Sequence, residues 1–386
     1  MEPYSISISE ERLGWIRDRV SSYDWAQFPD AGGWSAGMGV DALRQIMERW
    51  TGGYDWRAEE RKLNVLPHFI AEIDGIQIHF LHFRSGAPAG RPPIVLLHGW
   101  PGSFLEFIEA APRLASPELF GGHAGDGFDL IIPSLPGYGF SGPPAKPIGT
   151  RDVARIMHKL VTEILEYDRY LAQGGDWGST VSAWMAHDYP AACIGLHLNM
   201  VIMGHAGLKY ETDEERAYRN LQAQYREFDG GYAHQQRTKP QTLGFALQDS
   251  PVGAAAWILE KFAAWSDLPR PDGQPQLGEA YSIDHLLTNI MLYVATGAIT
   301  TSTWLYLGNT LGGSFPLDHP VAVPTAIAAF PDPVFAPPPR SLAQKSYNIV
   351  RWTDMPRGGH FAAMEQPALF ADDVRSFALS ICAAGL

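Results

Sequence analysis

Short, mostly apolar runs alternating with helix-period stretches confine this chain to one kind of core. The runs are IVLLHG (94–99), DLIIPSL (129–135), YLAQGG (170–175) and IGLHLNM (194–200). A continuous apolar run that ends in a turn is what a strand buried on both faces needs. Between them, Val153, Ile156, Met157, Leu160, Val161 and Ile164 recur at i, i+3, i+4 spacing behind Thr150 as N-cap. A second helix is expected from about Ser179 to His187, stopped by Pro190. Strand and helix in alternation predict an α/β fold with a parallel sheet. The strand signal then vanishes over residues 201–320, where helical stretches such as AAAWILEKFAAW (254–265) and HLLTNIMLYVATG (285–297) dominate. It returns in VPTAIAAF (323–330) and NIVRWTDM (348–355), followed by a last helix over 368–383. The expected organisation is a core (93–200), a helical lid inserted at 201–320, and a second core segment (321–386).

Residues 1–92 follow a different pattern. SEERLGWIRDRVS (9–21) reads as a helix capped by Ser9, followed by a Gly/Trp-rich meander over 31–39 and a helix near Val40 to Thr51. The stretch 56–69 mixes a helical turn with an extended exit. IAEIDGIQIHFLHFRS (70–85) predicts two strands joined at Asp74-Gly75, since this dipeptide tolerates the positive φ angles of a tight hairpin. Of the 386 residues, 46% are hydrophobic and 18% charged, a balance that suits a globular chain and not a disordered one. The net charge of −13 argues against nucleic acid and against anionic membranes as partners. The polar start and the short, broken apolar runs predict neither a secretory signal nor a membrane span, hence a cytoplasmic protein. Cys193 and Cys382, the two cysteines, lie in apolar stretches and are expected to be buried thiols, with no metal-binding spacing.

The chemistry concentrates where strands end. In Gly174-Gly175-Asp176-Trp177-Gly178-Ser179, glycines two residues before and after Asp176 permit a sharp strand-to-helix turn. Such a turn presents its central side chain at the sheet edge, at a helix N-terminus. Asp176 takes the place usually held by serine. The loop after IVLLHG carries His98-Gly99-Trp100-Pro101-Gly102, with a cis bond expected before Pro101. The amides of Trp100 and Trp177 are the candidate oxyanion-hole donors, and His98 is read as structural. His360, in Arg357-Gly358-Gly359-His360-Phe361, follows the last strand and is the candidate base. The acid that orients it should follow VPTAIAAF, where Asp332 lies; Asp354 is the second candidate. Gly137-Tyr138-Gly139-Phe140-Ser141-Gly142 imitates a dinucleotide fingerprint, but Pro143-Pro144 blocks the helix such a site needs, so no nucleotide cofactor and no metal is expected.

A carboxylate nucleophile attacks sp³ carbon and leaves an alkyl ester, which histidine-activated water then hydrolyses. Two leaving groups suit it, halide and epoxide oxygen.

Taken together, HGWPGS (98–103), LPGYGFS (135–141), GGDWGS (174–179), LHLNM (196–200), TKPQTLGFALQDSPVG (238–253), LLTNIMLY (286–293) and RGGHFAAME (357–365) resemble the microsomal-type epoxide hydrolases. The N-terminal runs 56–69 and 73–80 share the likeness. The resemblance implies an α/β-hydrolase core sheet with a helical lid insertion and an N-terminal meander. It also implies conversion of a hydrophobic epoxide, aryl-substituted ones included, to a vicinal diol with water. Asp176 matches the nucleophile and His360 the base. Tyr232 and Tyr306 look like the lid tyrosines that protonate the epoxide oxygen. The acid departs from the family pattern by one residue, because the usual position is Pro333. A haloalkane dehalogenase sharing Asp176, His360 and the Trp177 indole is the alternative, which the paired tyrosines disfavour. A homodimer through the meander or the lid is a further expectation.

Overall fold

The structure is a computed structural model, and it describes residues 1–88, 90–202, 204–313 and 315–385. The hairpin forms where the sequence predicts it. β2 (His68–Ile73) and β3 (Ile76–Phe83) pair antiparallel, and the turn residues Asp74 and Gly75 both take positive φ, 52° and 78°. That combination suits the twist of a two-residue hairpin. β1 (Glu2–Pro3) adds to β2. The apolar runs become β4 (Ile94–Leu97), β5 (Leu130–Pro133), β6 (Tyr170–Gly174) and β7 (Cys193–Leu198), and every residue of these four strands is buried. β8 (Val321–Ala329) and β9 (Tyr347–Asp354) complete the sheet.

Its strand order is β1-β2-β3-β5-β4-β6-β7-β8-β9. The first three strands are antiparallel additions, and from β5 to β9 every pairing is parallel. β4 has β5 on one side and β6 on the other, so the chain reverses its winding direction there. In open α/β sheets the crevice beyond the carboxyl ends of such strands is where ligands bind.

Three local expectations change. Gly149, not Thr150, is the N-cap of the helix Thr150–Lys159. Thr150 is instead buried, and both its amide and its hydroxyl donate to Asn309 Oδ1 on the lid (2.8 and 3.0 Å), so a tertiary contact outcompetes local capping. The helix expected from Ser179 begins at Asp176, because the tight turn is itself its first turn, and runs to Asp188. Cys382 is half-buried, unlike Cys193.

The lid, inserted between β7 and β8, includes the helices Asp213–Phe228, Gly231–Thr238, Pro240–Asp249, Pro251–Trp265, Ile283–Val294 and Trp304–Gly312. It is bolted to the core by polar contacts. Asn289 exchanges hydrogen bonds with the Pro101 carbonyl and the Ser103 hydroxyl (2.9 and 2.8 Å), and Thr301 donates to the Gly137 carbonyl (2.6 Å). That last contact fills the glycine-rich segment 137–142, which is a tight turn closed by Gly137 N–H to Gly142 O. The N-terminal meander braces the lid from outside through Arg12 to the Val294 carbonyl and a bidentate Arg49–Asp284 pair. Among the described residues no single helix is long and apolar enough to cross a membrane. Ile283–Val294 and Ala298–Gly312 reach that length only together, across an 85° bend.

Candidate active site

The turn after β6 is held by backbone contact. A Cβ at Gly174 would lie 2.1 Å from the Gly178 carbonyl oxygen, and one at Gly178 would lie 1.8 Å from the Leu97 carbonyl oxygen. Only glycine fits either place, so β4 and the helix start can close on each other. Asp176 between them takes φ +46°, a left-handed conformation rare outside glycine. Its carboxylate is thereby thrown out over the ends of β4 and β6. Oδ1 accepts the Trp100 amide at 2.8 Å. Trp100 lies in the loop after β4, and the bond before Pro101 is cis. Trp177 follows Asp176 as the second residue of the helix, where a backbone N–H has no intrahelical acceptor.

β8 and β9 deliver the other two groups. Asp332 Oδ1 accepts the amides of Val334 and Phe335, both at 2.8 Å. This is the turn that an aspartate makes with the backbone two and three residues on, and Pro333 pre-sets its geometry. The one-residue departure from the family pattern therefore builds a rigid turn of its own. Oδ2 is left free for His360 Nδ1, at 2.9 Å. Asp354 does not join them; it is exposed at the end of β9 and accepts the Trp352 indole N–H (2.9 Å). His360 Nε2 faces Asp176 Oδ2 at 3.5 Å, is buried and makes no hydrogen bond. The contact directs Nδ1–H at the Asp332 carboxylate and turns Nε2 toward Asp176. Burial alone would lower this imidazolium. The carboxylates of Asp176 and Asp332 on its two nitrogens outweigh burial and raise it to about 10.

The lid brings two phenols over this carboxylate. Tyr232 and Tyr306 are both buried, with ring centroids 6.0 Å apart and nearly perpendicular. Trp100 stacks on Tyr232 at 5.3 Å, and Trp177 meets Tyr306 edge-on at 4.6 Å. Burial first, and the Asp176 charge with it, pushes both phenols well above their usual range. They remain protonated and are available as O–H donors. Among the described residues no cluster of His, Cys, Asp or Glu is arranged to hold a metal ion.

Residues 1–107 match the family model described as the epoxide hydrolase N terminus, and 92–248 that of the alpha/beta hydrolase fold. Epoxide hydrolase 1 of Sus scrofa is 36% identical over 98% of this chain and 88% of its own. The chain belongs to the epoxide hydrolase family. The crystal structure of juvenile hormone epoxide hydrolase from the silkworm Bombyx mori superposes with a TM-score of 0.85 at 32% identity, covering 100% of this chain and 95% of the other. The epoxide hydrolase of Aspergillus niger gives a TM-score of 0.83 at 30% identity, covering 98% and 96%.

This epoxide hydrolase family member holds one further acid beside the site that the sequence does not single out. Glu106 lies on the 3₁₀ turn Phe104–Phe107, which folds back under the Trp100 loop. A Cβ at Gly102 would come within 1.7 Å of its Oε1. Burial pushes the Glu106 carboxyl up to about 8; His360 and the Gly99 amide oppose the rise, and the Asp176 charge adds to it. No local motif marks this residue. The only sequence signal is its place a few residues beyond HGWPG, in a turn whose other side chains are apolar.

Proposed function

We propose that this protein hydrolyses epoxides to vicinal diols through an ester on Asp176. The observation that carries the reading is the pairing of a carboxylate, fixed by the Trp100 amide and faced by His360, with two buried phenols, Tyr232 stacked on Trp100 and Tyr306 edge-on to Trp177.

In the first half-reaction, Asp176 Oδ2 attacks an epoxide carbon. The C–O bond breaks, and the departing oxygen takes a proton from Tyr232 or Tyr306. Oδ1 stays on the Trp100 amide as the ester carbonyl oxygen. Alkylation also removes the Asp176 charge. One of the two carboxylates that hold His360 protonated is then gone, so the imidazolium becomes more acidic and can return a proton to the tyrosinate. In the second half-reaction, neutral His360 takes a proton from water, and the resulting hydroxide attacks the ester carbonyl. The amides of Trp100 and Trp177 receive the oxyanion. Collapse expels the diol oxygen, which takes its proton from His360, with Asp332 holding the ring throughout. Glu106, neutral below about pH 8, can donate as well as accept a hydrogen bond. That suits it to orient the water that His360 deprotonates. The aromatic walls of Trp100, Trp177 and Trp265 favour hydrophobic epoxides, aryl-substituted ones among them.

The test is a single turnover with excess enzyme and styrene oxide in ¹⁸O-labelled water. Unlabelled oxygen in the first-turnover diol is the expected result, since that oxygen comes from Asp176. Label in that diol would mean direct attack by water and would reject the ester route. Halide release from alkyl halides without diol from any epoxide would reassign the chemistry to dehalogenation.

A further inference from the structure

The loop that carries His360 is tied to the end of a lid helix. Four consecutive amides along it are all bound. Gly358 donates to Asp267 Oδ2 (2.9 Å), Gly359 to Glu365 Oε2 (2.9 Å), His360 to the Trp265 carbonyl (3.0 Å) and Phe361 to Glu365 Oε1 (3.0 Å). Glu365 Oε2 also takes the Asp267 amide at 2.8 Å. Trp265 is the last residue of the lid helix Pro251–Trp265, and Asp267 lies just beyond it. The contact is backbone on backbone, because a Cβ at Gly359 would meet the Asp267 nitrogen at 2.6 Å and the Trp265 oxygen at 2.7 Å. Rings extend it. Phe361 stacks on Phe262 at 4.1 Å, and His360 and Tyr232 both pack on Trp265, at 4.7 and 5.3 Å.

We propose that Glu365, with Asp267, is a positioning residue that locks the base loop to the end of this lid helix, so that His360 and Tyr232 are held by one rigid element. The assignment rests on the ester mechanism above. Glu365 touches no reacting atom; it acts by fixing the amides on either side of His360. Holding a carboxyl there has a cost: burial pushes Glu365 up to about 7 even though the amides of Asp267, Gly359 and Phe361 pull it down. A neutral amide in its place would aim an N–H at a backbone N–H and lose one of the two flanking contacts. The end of the lid helix then serves both half-reactions, with Trp265 backing the proton donor of the first and holding the base of the second.

The test separates the half-reactions. Glu365→Gln and Asp267→Asn are compared with the wild type, following ester formation by intact-mass spectrometry and ester hydrolysis by single-turnover diol release. Ester formation should stay close to the wild-type rate. Hydrolysis should slow by about 10- to 100-fold in Glu365→Gln, as expected for a catalytic group displaced by a fraction of an ångström to 1 Å. It should slow less in Asp267→Asn, and adduct should accumulate in both. The pH profile of the hydrolysis step should also move to lower pH, because His360 is held less firmly against Asp332. Equal slowing of both half-reactions with a lowered Tm would make Glu365 merely structural and overturn the proposal. So would wild-type hydrolysis in both variants. Asp267 is exposed, so its variant carries the test should Glu365→Gln not fold. Wild type that forms no ester at all would reject the mechanism itself, a result distinct from a failure confined to the variants.

Discussion

The two phenols and the acid give the sharpest expectations at the scale of single residues. If Tyr232 and Tyr306 share the proposed donation, removing one leaves the other to donate. Tyr232→Phe and Tyr306→Phe should each slow ester formation. The double variant should lose about 10²- to 10⁴-fold, the usual contribution of a general acid. Stopped-flow tryptophan fluorescence reads the step directly, and an unchanged double variant would reject phenol donation. Asp332 differs in kind. Its Oδ1 is committed to the Val334 and Phe335 amides and its Oδ2 to His360. Asp332→Asn should preserve the turn but present an N–H to Nδ1 and favour the wrong tautomer, with a loss of about 10⁴-fold in turnover. Asp354→Asn should leave turnover unchanged; the reverse pattern in steady-state rates would reassign the acid. Asp176 and His360 were legible from their sequence neighbours, because a glycine-flanked turn and a glycine-rich loop are local signals. Glu106 was not, since nothing within a few residues records that its turn folds under Gly99.

At the scale of elements, a buried polar cluster under the base side of the sheet holds β7, β9 and the last helix, Pro367–Ala383, in register. Asp373 accepts His197 Nε2 (3.0 Å), Arg351 Nε and Nη2 (2.9 and 2.6 Å) and the Thr353 hydroxyl (2.8 Å). Burial opposes its ionisation, yet the hydrogen bonds from His197, Thr353 and Arg351 hold it down to about 2. Asp373→Ala strands a buried imidazole and an Arg351 that keeps some contact with water. It should cost about 3 kcal/mol, the lower end of the range for breaking a buried charged contact. Urea unfolding measures this, and a loss below about 1 kcal/mol would place the cluster with ordinary surface pairs. The period of the last helix was plain in sequence. The cluster was not, because its members lie on three separate elements. Thr150 makes the same point: its composition says cap, and Asn309 of the lid takes it instead.

At the scale of the molecule, the N-terminal hairpin meets the core through two buried histidines in series. The His68 ring reaches the Leu63 carbonyl with Nε2 and His79 Nε2 with Nδ1, each at 2.8 Å, and His79 Nδ1 reaches Ser134 Oγ at 2.9 Å. The chain is satisfied with one proton on each ring; a second proton on His68 sets donor against donor at His79 Nε2, and one on His79 forces the Ser134 hydroxyl to turn from donor to acceptor. Burial lowers both, His79 furthest. The sign follows from the unfolded value of about 6.5. Above it both states are neutral and the full stability is present. As pH falls below it only the unfolded chain takes up protons, and stability drops by up to about 1.4 kcal/mol per pH unit for each imidazole. Unfolding followed between pH 7 and 5 should show this loss, and His79→Gln should flatten it. An equally steep slope in that variant would place the acid sensitivity elsewhere.

The sequence by itself determined what short-range physics can encode. Strands buried on both faces read as apolar runs, the hairpin as Asp74-Gly75, and the nucleophile turn as glycines around Asp176. The candidate nucleophile, acid and base could be placed in that order from the strand each group trails. Tertiary structure alone decided what depends on contacts between distant segments. It brought Asp332, and not Asp354, against His360, because Oδ1 could be spent on the turn that Pro333 shapes and Oδ2 remained for the imidazole. It placed Tyr232 and Tyr306 over Asp176, brought Glu106 beneath the loop and fastened the base loop to the lid. Turn and capping hydrogen bonds and side-chain periodicity, the signals a sequence displays, reach only a few residues along a chain. The meeting of residues 106, 176, 232, 306, 332 and 360 is set by the order of strands in the sheet and by the packing of the lid on its carboxyl edge.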